Sequence, residues 1–100
     1  MATTAKALAR TAAATSSTTL YTVPSSTTAV VTNIVVTNSA ATAATFTITL
    51  DSVDLFKDAA IDANTTAVFD LKQVLATTKI IAGLASATTV KFHVSGVEIV

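Results

Sequence analysis

His93 is the only histidine in the chain. An imidazole titrates near neutral pH and can act as general acid, general base or metal ligand, so it is the first residue to weigh for chemistry. A metal site needs further soft or imidazole ligands, and the chain has no cysteine and no second histidine to supply them. His93 also alternates with Lys91 and Ser95, which reads as the polar side of a strand and makes it an ordinary surface or interface residue. Asp51, Asp54 and Asp58 lie close together and could suggest calcium. Their spacing is not that of a calcium loop, and no matching Gly or Glu accompanies them. Serines and aspartates are present, but no Gly-x-Ser-x-Gly context holds a nucleophile. Gly83 and Gly96 are the only glycines, which leaves no loop able to cradle phosphate. Tyr21 is the only tyrosine and there is no tryptophan, whereas a sugar platform uses flat exposed aromatics. The expectation is a chain with no catalytic residues, no cofactor and no metal, hence not an enzyme.

Composition points to surface contact instead. Charged residues make up 12% of the 100 residues, with 6 basic and 6 acidic groups giving a formal net charge of zero. Ordinary soluble domains carry roughly 25%. Apolar residues reach 51%, but only 5% are aromatic, and Thr and Ala each account for about a fifth of the chain. Threonine is β-branched and favours pleated strands. A Thr/Ala surface can be covered by a neighbour without burying ions, so the composition favours a protein that works in contact with copies or partners. The balance of charge speaks against nucleic acid, and no apolar run is long enough to span a membrane as a helix. Residues 1–14 contain Lys6 and Arg10 among alanines and lack the apolar centre of a signal peptide.

Strands have to position whatever surface this protein uses. Residues 1–17 (MATTAKALARTAAATSS) form a separate segment with two positive charges, no negative charge and Leu8 as the only large apolar anchor beyond the initial Met. A helix there would be marginal in water. The segment reads as an extended arm that orders by docking on another subunit, with a first edge strand around residues 5–9 as the other way to place it. Lys6, Leu8 and Arg10 are its candidate partner contacts. The remainder, residues 18–100, reads as one domain. Strands are expected at 18–23 (TTLYTV, ended by Pro24), 28–38, 45–50, 53–57, 65–71, 79–82 and 88–100. Phe46, Ile48 and Leu50 alternate with threonines, which is the pattern of a half-buried strand. Asp51-Ser52 reads as a tight hairpin turn. Leu71, Val74 and Leu75 have helical spacing behind a possible Asp70/Gln73 capping pair, so one short helix is expected at 71–76. In the last strand the large apolar residues shift from even to odd positions after Gly96, which predicts a bulge and a bend at that glycine. Val30, Ile34, Val36, Phe46, Ile48, Leu50, Phe69, Leu71, Val90, Phe92 and Val94 make up the expected core. The fold class is all-β: an antiparallel β-sandwich of about seven or eight strands, Greek-key or jelly-roll-like.

Five stretches add a resemblance: TTLYTVP (18–24) with its short polar turn, TAVVTNIVVTN (28–38), ATFTITLDSVDL (44–55), IDANTTAVFDLKQVLA (61–76) and FHVSGVEI (92–99). In these stretches the chain resembles small β-sandwich virion structural proteins of tailed bacteriophages, over about four-fifths of its length. A leucine-aspartate-glycine hairpin is commoner in such proteins than the Leu50-Asp51-Ser52 found here. The resemblance implies a non-enzymatic virion protein, foremost a capsid decoration (cement) protein that binds the major capsid protein or other virion proteins in many copies on the capsid surface. A minor tail or fibre-associated protein is the alternative, and a carbohydrate-binding or adhesin module is the alternative of another class.

Overall fold

The threonine-spaced apolar residues Phe46, Ile48 and Leu50 form a strand whose Phe46 and Ile48 side chains are almost wholly buried. The computed structural model describes residues 2–100, and eight strands build it. They are β1 (Thr3–Ala12), β2 (Thr18–Thr22), β3 (Thr28–Asn38), β4 (Ala44–Leu50), β5 (Val53–Ile61), β6 (Thr65–Leu75), β7 (Ile80–Ala85) and β8 (Val90–Ile99). One sheet has the order β1-β8-β3-β6 and the other β2-β7-β4-β5, with every pairing antiparallel. Consecutive strands mostly alternate between the two sheets, which is the strand order of a jelly roll. β1 and β2 lie at one side of the sandwich, and β5 and β6 at the other.

The local sequence explains the connections. Leu50 pairs with Val53 across a two-residue turn, and Asp51 and Ser52 both adopt positive φ, at 53° and 63°. Positive φ at both central positions is the type I′ pattern, whose twist matches that of paired strands. Aspartate tolerates this region well, while serine takes the place of the usual glycine at some cost. Asn64, at φ 52°, turns the chain from β5 in one sheet to β6 in the other.

Three sequence expectations are corrected. The first is the helix at 71–76. Among the described residues there is no helix, and β6 continues to Leu75. Its residues 29–31 partners on β3 supply ladder bonds to Gln73, Val74 and Leu75, and a single unsupported helical turn cannot compete with that. Leu71 and Leu75 also fit a period of two, pointing inward. The second concerns Val30. β3 has one more residue than β8 between its pairs Val31↔Gly96 and Asn33↔Ser95. The extra residue reverses the facing of the first part of the strand, so Ala29 and Val31 are fully buried and Val30 faces outward. The third concerns β8, which keeps its alternation through Gly96. Gly96 lies inward, and Val97 and Ile99 face out. The irregularities sit on the neighbours, where β1 carries an extra residue at Leu8 and β3 one at Thr32.

The core is otherwise the one the alternation predicts. Ile34, Val36, Phe46, Ile48, Leu50, Val90, Phe92 and Val94 are buried, with Phe69 and Leu71 packed half-buried against them. Val23, Val31, Ile61, Leu75 and Ile81 complete it. Phe46 is the hub of an aromatic group, with ring centroids 5.6 Å from Phe56 and 6.2 Å from both Phe69 and Phe92.

Candidate assembly interface

The N-terminal segment is extended, but the edge it joins is that of its own domain. β1 pairs with β8 along its length, from Thr3↔Ile99 to Ala12↔Lys91. The three candidate contacts separate there. Leu8 is turned into the core, 7% exposed, at the bulge beside Gly96. Lys6 reaches Glu98 at 3.3 Å. Arg10 is exposed opposite His93 on the outer face of the first sheet and forms no salt bridge among the described residues. The structure therefore brings Lys6 to a partner within the chain, gives Leu8 a packing role and leaves Arg10 open to a neighbour.

Glu98 joins three strands. It takes the Lys6 ion pair from β1 and accepts a hydrogen bond from the Tyr21 hydroxyl on β2. The Tyr21 hydrogen bond, and then Lys6, hold the Glu98 carboxyl below its ordinary range despite an opposing desolvation. Burial, and then the bond and charge of Glu98, push the Tyr21 phenol above its usual value. A carboxyl with a lowered folded pKa adds stability above its unfolded value, and that contribution is lost as pH falls through the folded value. The melting-temperature gap between the native protein and Glu98→Gln should therefore be widest near neutral pH and close below about pH 4. A gap that stays constant across that range would show that the charge of Glu98 contributes nothing.

The residues with candidate chemistry are dispersed. Asp51 sits at the hairpin turn 3.6 Å from Lys79, and Asp58 lies at the β5 irregularity 3.7 Å from Lys57. No group of three or more metal-ligating side chains occurs among the described residues. Tyr21 is 9% exposed, with its hydroxyl turned to Glu98.

The opposite side of the sandwich is more open, and sequence reasoning did not single it out. β5 and β6 are edge strands of their sheets. Phe56 and Phe69 meet across the gap between them, with ring centroids 4.5 Å apart and planes tilted by 40°, and Leu55, Ala59, Ala67 and Leu71 join them half-buried against the core. Val53, Val68 and Val74 are exposed on the same two strands. Thr32, Asp70, Leu71 and Lys72 line a shallow depression along β6. An arrangement of two free strand edges, half-buried aromatics and exposed valines is suited to contact with protein. The alternation of residues 65–72 marks β6 as a strand, although the helical spacing of Leu71, Val74 and Leu75 obscures it, and its place at an edge is set by the topology alone.

No family model matches the chain, and no curated protein matches it. Among solved structures it is similar to a pentameric capsid protein isolated from metagenomic phage sequences, with 19% identity and a TM-score of 0.43. The likeness covers 89% of this chain and 57% of that protein, so the chain spans a little over half of its length.

Proposed function

We propose that this chain is a non-enzymatic structural protein of a bacteriophage virion, acting as a capsid decoration (cement) protein on the outer shell. The observation that carries the reading is where the phage-like motifs fall. TTLYTVP covers β2 and its exit, TAVVTNIVVTN is β3, ATFTITLDSVDL is the β4–β5 hairpin, and the last two stretches lie on β6 and β8. These motifs make up the framework of the jelly roll, and jelly rolls serve viral capsid proteins as well as lectins and cupins. A fold hosts several functions, so composition decides among them. A surface of threonine and alanine with little charge suits a protein held against others in many copies. The lectin-like reading relies on an exposed aromatic platform, and Tyr21 is buried against Glu98.

Arg10, His93 and Lys91 lie on adjacent strands of one outer face through the pairs Arg10↔His93 and Ala12↔Lys91. We assign this face to acidic groups of the major capsid protein. Tagged protein imaged on virions should decorate the shell in many copies, and Arg10→Glu should reduce occupancy several-fold while leaving the melting temperature in place. Label confined to the tail would replace decoration with the tail or fibre reading, and absence of label from the particle would end the virion proposal.

A further inference from the structure

β6 is an eleven-residue strand with a free edge; it sets Leu71 and Lys72 against the single Thr32 of β3, and its even-numbered residues face outward on both sides of that step, Asp70 opposite Asn33 and Val74 opposite Val30. Natural proteins blunt long edges, because their unpaired backbone groups invite another strand. The outward row of β6 runs Thr66, Val68, Asp70, Lys72, Val74, all exposed, with Val68 at 61% and Val74 at 69%. Two adjacent opposite charges are thus flanked symmetrically by two exposed valines. The inward row carries Phe69, Leu71 and Gln73, and the first two are only half-buried.

We infer that two copies of this chain pair through β6, antiparallel about a two-fold axis at Leu71, so that the β1-β8-β3-β6 sheet continues from one copy into the next. In this register each residue faces the one equally distant beyond Leu71. Asp70 faces Lys72 of the second copy, and Lys72 faces its Asp70. Val68 faces Val74 of the second copy, and Val74 its Val68. Leu71 meets its own equivalent on the axis, and Phe69 faces Gln73, so the half-buried inward residues gain cover.

The charges also reject the alternatives. Moving the axis to residue 70 sets Asp70 against Asp70, and moving it to residue 72 sets Lys72 against Lys72. Like charges directly opposite destabilise a strand pair, and opposite charges stabilise it. An axis between residues would set the outer row of one copy against the inner row of the other, which the pleat forbids. Neither Asp70 nor Lys72 forms a salt bridge among the described residues; Asp70 accepts only a 3.4 Å hydrogen bond from Asn33. Both charges are therefore available, and the contact is isologous, as a two-fold requires. The inference stands on the strand itself and does not rest on the virion reading.

Sedimentation velocity over a concentration series tests it. The native protein should form dimers at high concentration. Asp70→Lys and Lys72→Asp should each weaken self-association by about tenfold or more, since each turns two attractive pairs repulsive. An equimolar mixture of the two variants should associate again, because one variant carries lysine at both 70 and 72 and the other aspartate at both, so each facing pair joins a lysine to an aspartate. The double variant Asp70→Lys/Lys72→Asp should also recover. Melting temperatures within a few degrees of native check the fold. Should either single variant fail to fold, Val68→Lys should weaken the dimer and Val74→Glu in the same chain should restore it. A native protein that stays monomeric, single variants that associate normally, or losses that neither the mixture nor the paired change reverses would each overturn the inference.

Discussion

Gly96→Ala should destabilise the protein by about 4 kcal/mol, near the upper end for a single added methyl group. A Cβ at this position would lie 2.2 Å from the Val30 carbonyl oxygen and 3.0 Å from Leu8 Cδ1. The oxygen belongs to a central strand whose pairs with β8 and β6 fix it from both sides, so it cannot retreat without opening a ladder. Leu8 cannot swing aside freely either, because it is buried at the β1 bulge. The requirement is space, since no glycine in the chain has positive φ. Gly83→Ala is the control. Its Cβ would meet Leu20 Cδ1 at 3.0 Å and Phe92 Cε2 at 3.1 Å, with the nearest backbone atom at 3.4 Å. Side-chain ends can give way, so the cost there should be about 1–2 kcal/mol. Urea unfolding of both variants at neutral pH makes the comparison. A Gly96→Ala protein at least as stable as Gly83→Ala would show that the β1 and β3 bulges do not depend on the missing side chain.

That crowding around Gly96 also explains what the sequence did and did not reveal. β3 and the β4–β5 hairpin were legible because their signals are local: alternation over the strand, and two turn residues suited to positive φ. The facing of Val30 and Val31 was not, because an inserted residue at Thr32 is defined only by its partner β8. Likewise, Val97 and Ile99 imitated a change of phase, when they are apolar residues on the outer face and the inward positions hold Gly96 and Glu98. The N-terminal segment reads as an arm because Leu8 is its only large apolar anchor beyond the initial Met. What holds it to its own domain is a β-ladder to the β8 edge and the tie from Lys6 through Glu98 to Tyr21, and neither is visible in the segment's own residues. Of the candidate site, the small uncharged surface and the positive Arg10 could be read from the residues. The β5/β6 side could not, because no local pattern states which strands end up at an edge.

Asn38→Leu should cost about 3–5 kcal/mol, although it replaces a polar residue with an apolar one of similar size in a fully buried place. In the sequence Asn38 looks like the start of a polar loop. In the structure it is the last residue of β3, 0% exposed, and it joins three segments. Its amide nitrogen donates to the carbonyls of Thr42 at 2.8 Å and Asp62 at 3.3 Å. Its carbonyl oxygen accepts from the Ala40 backbone at 3.1 Å and the Thr89 hydroxyl at 3.2 Å. The loop after β3, the turn between β5 and β6, and the approach to β8 are thereby fixed to one side chain. Leucine would satisfy the volume and leave several buried polar groups without a partner, each worth about 1–3 kcal/mol when stranded. Asn38→Asp separates the two halves of this role. It keeps the acceptor for Ala40 and Thr89, loses the donor to Thr42 and Asp62, and brings a buried charge near their carbonyl oxygens. It should therefore be destabilised at neutral pH and recover part of the loss on mild acidification, when the protonated carboxyl can again donate. Urea unfolding at two pH values reads both variants. A loss under about 1 kcal/mol for Asn38→Leu would mean that water reaches these groups and that the three segments are held by their backbone alone.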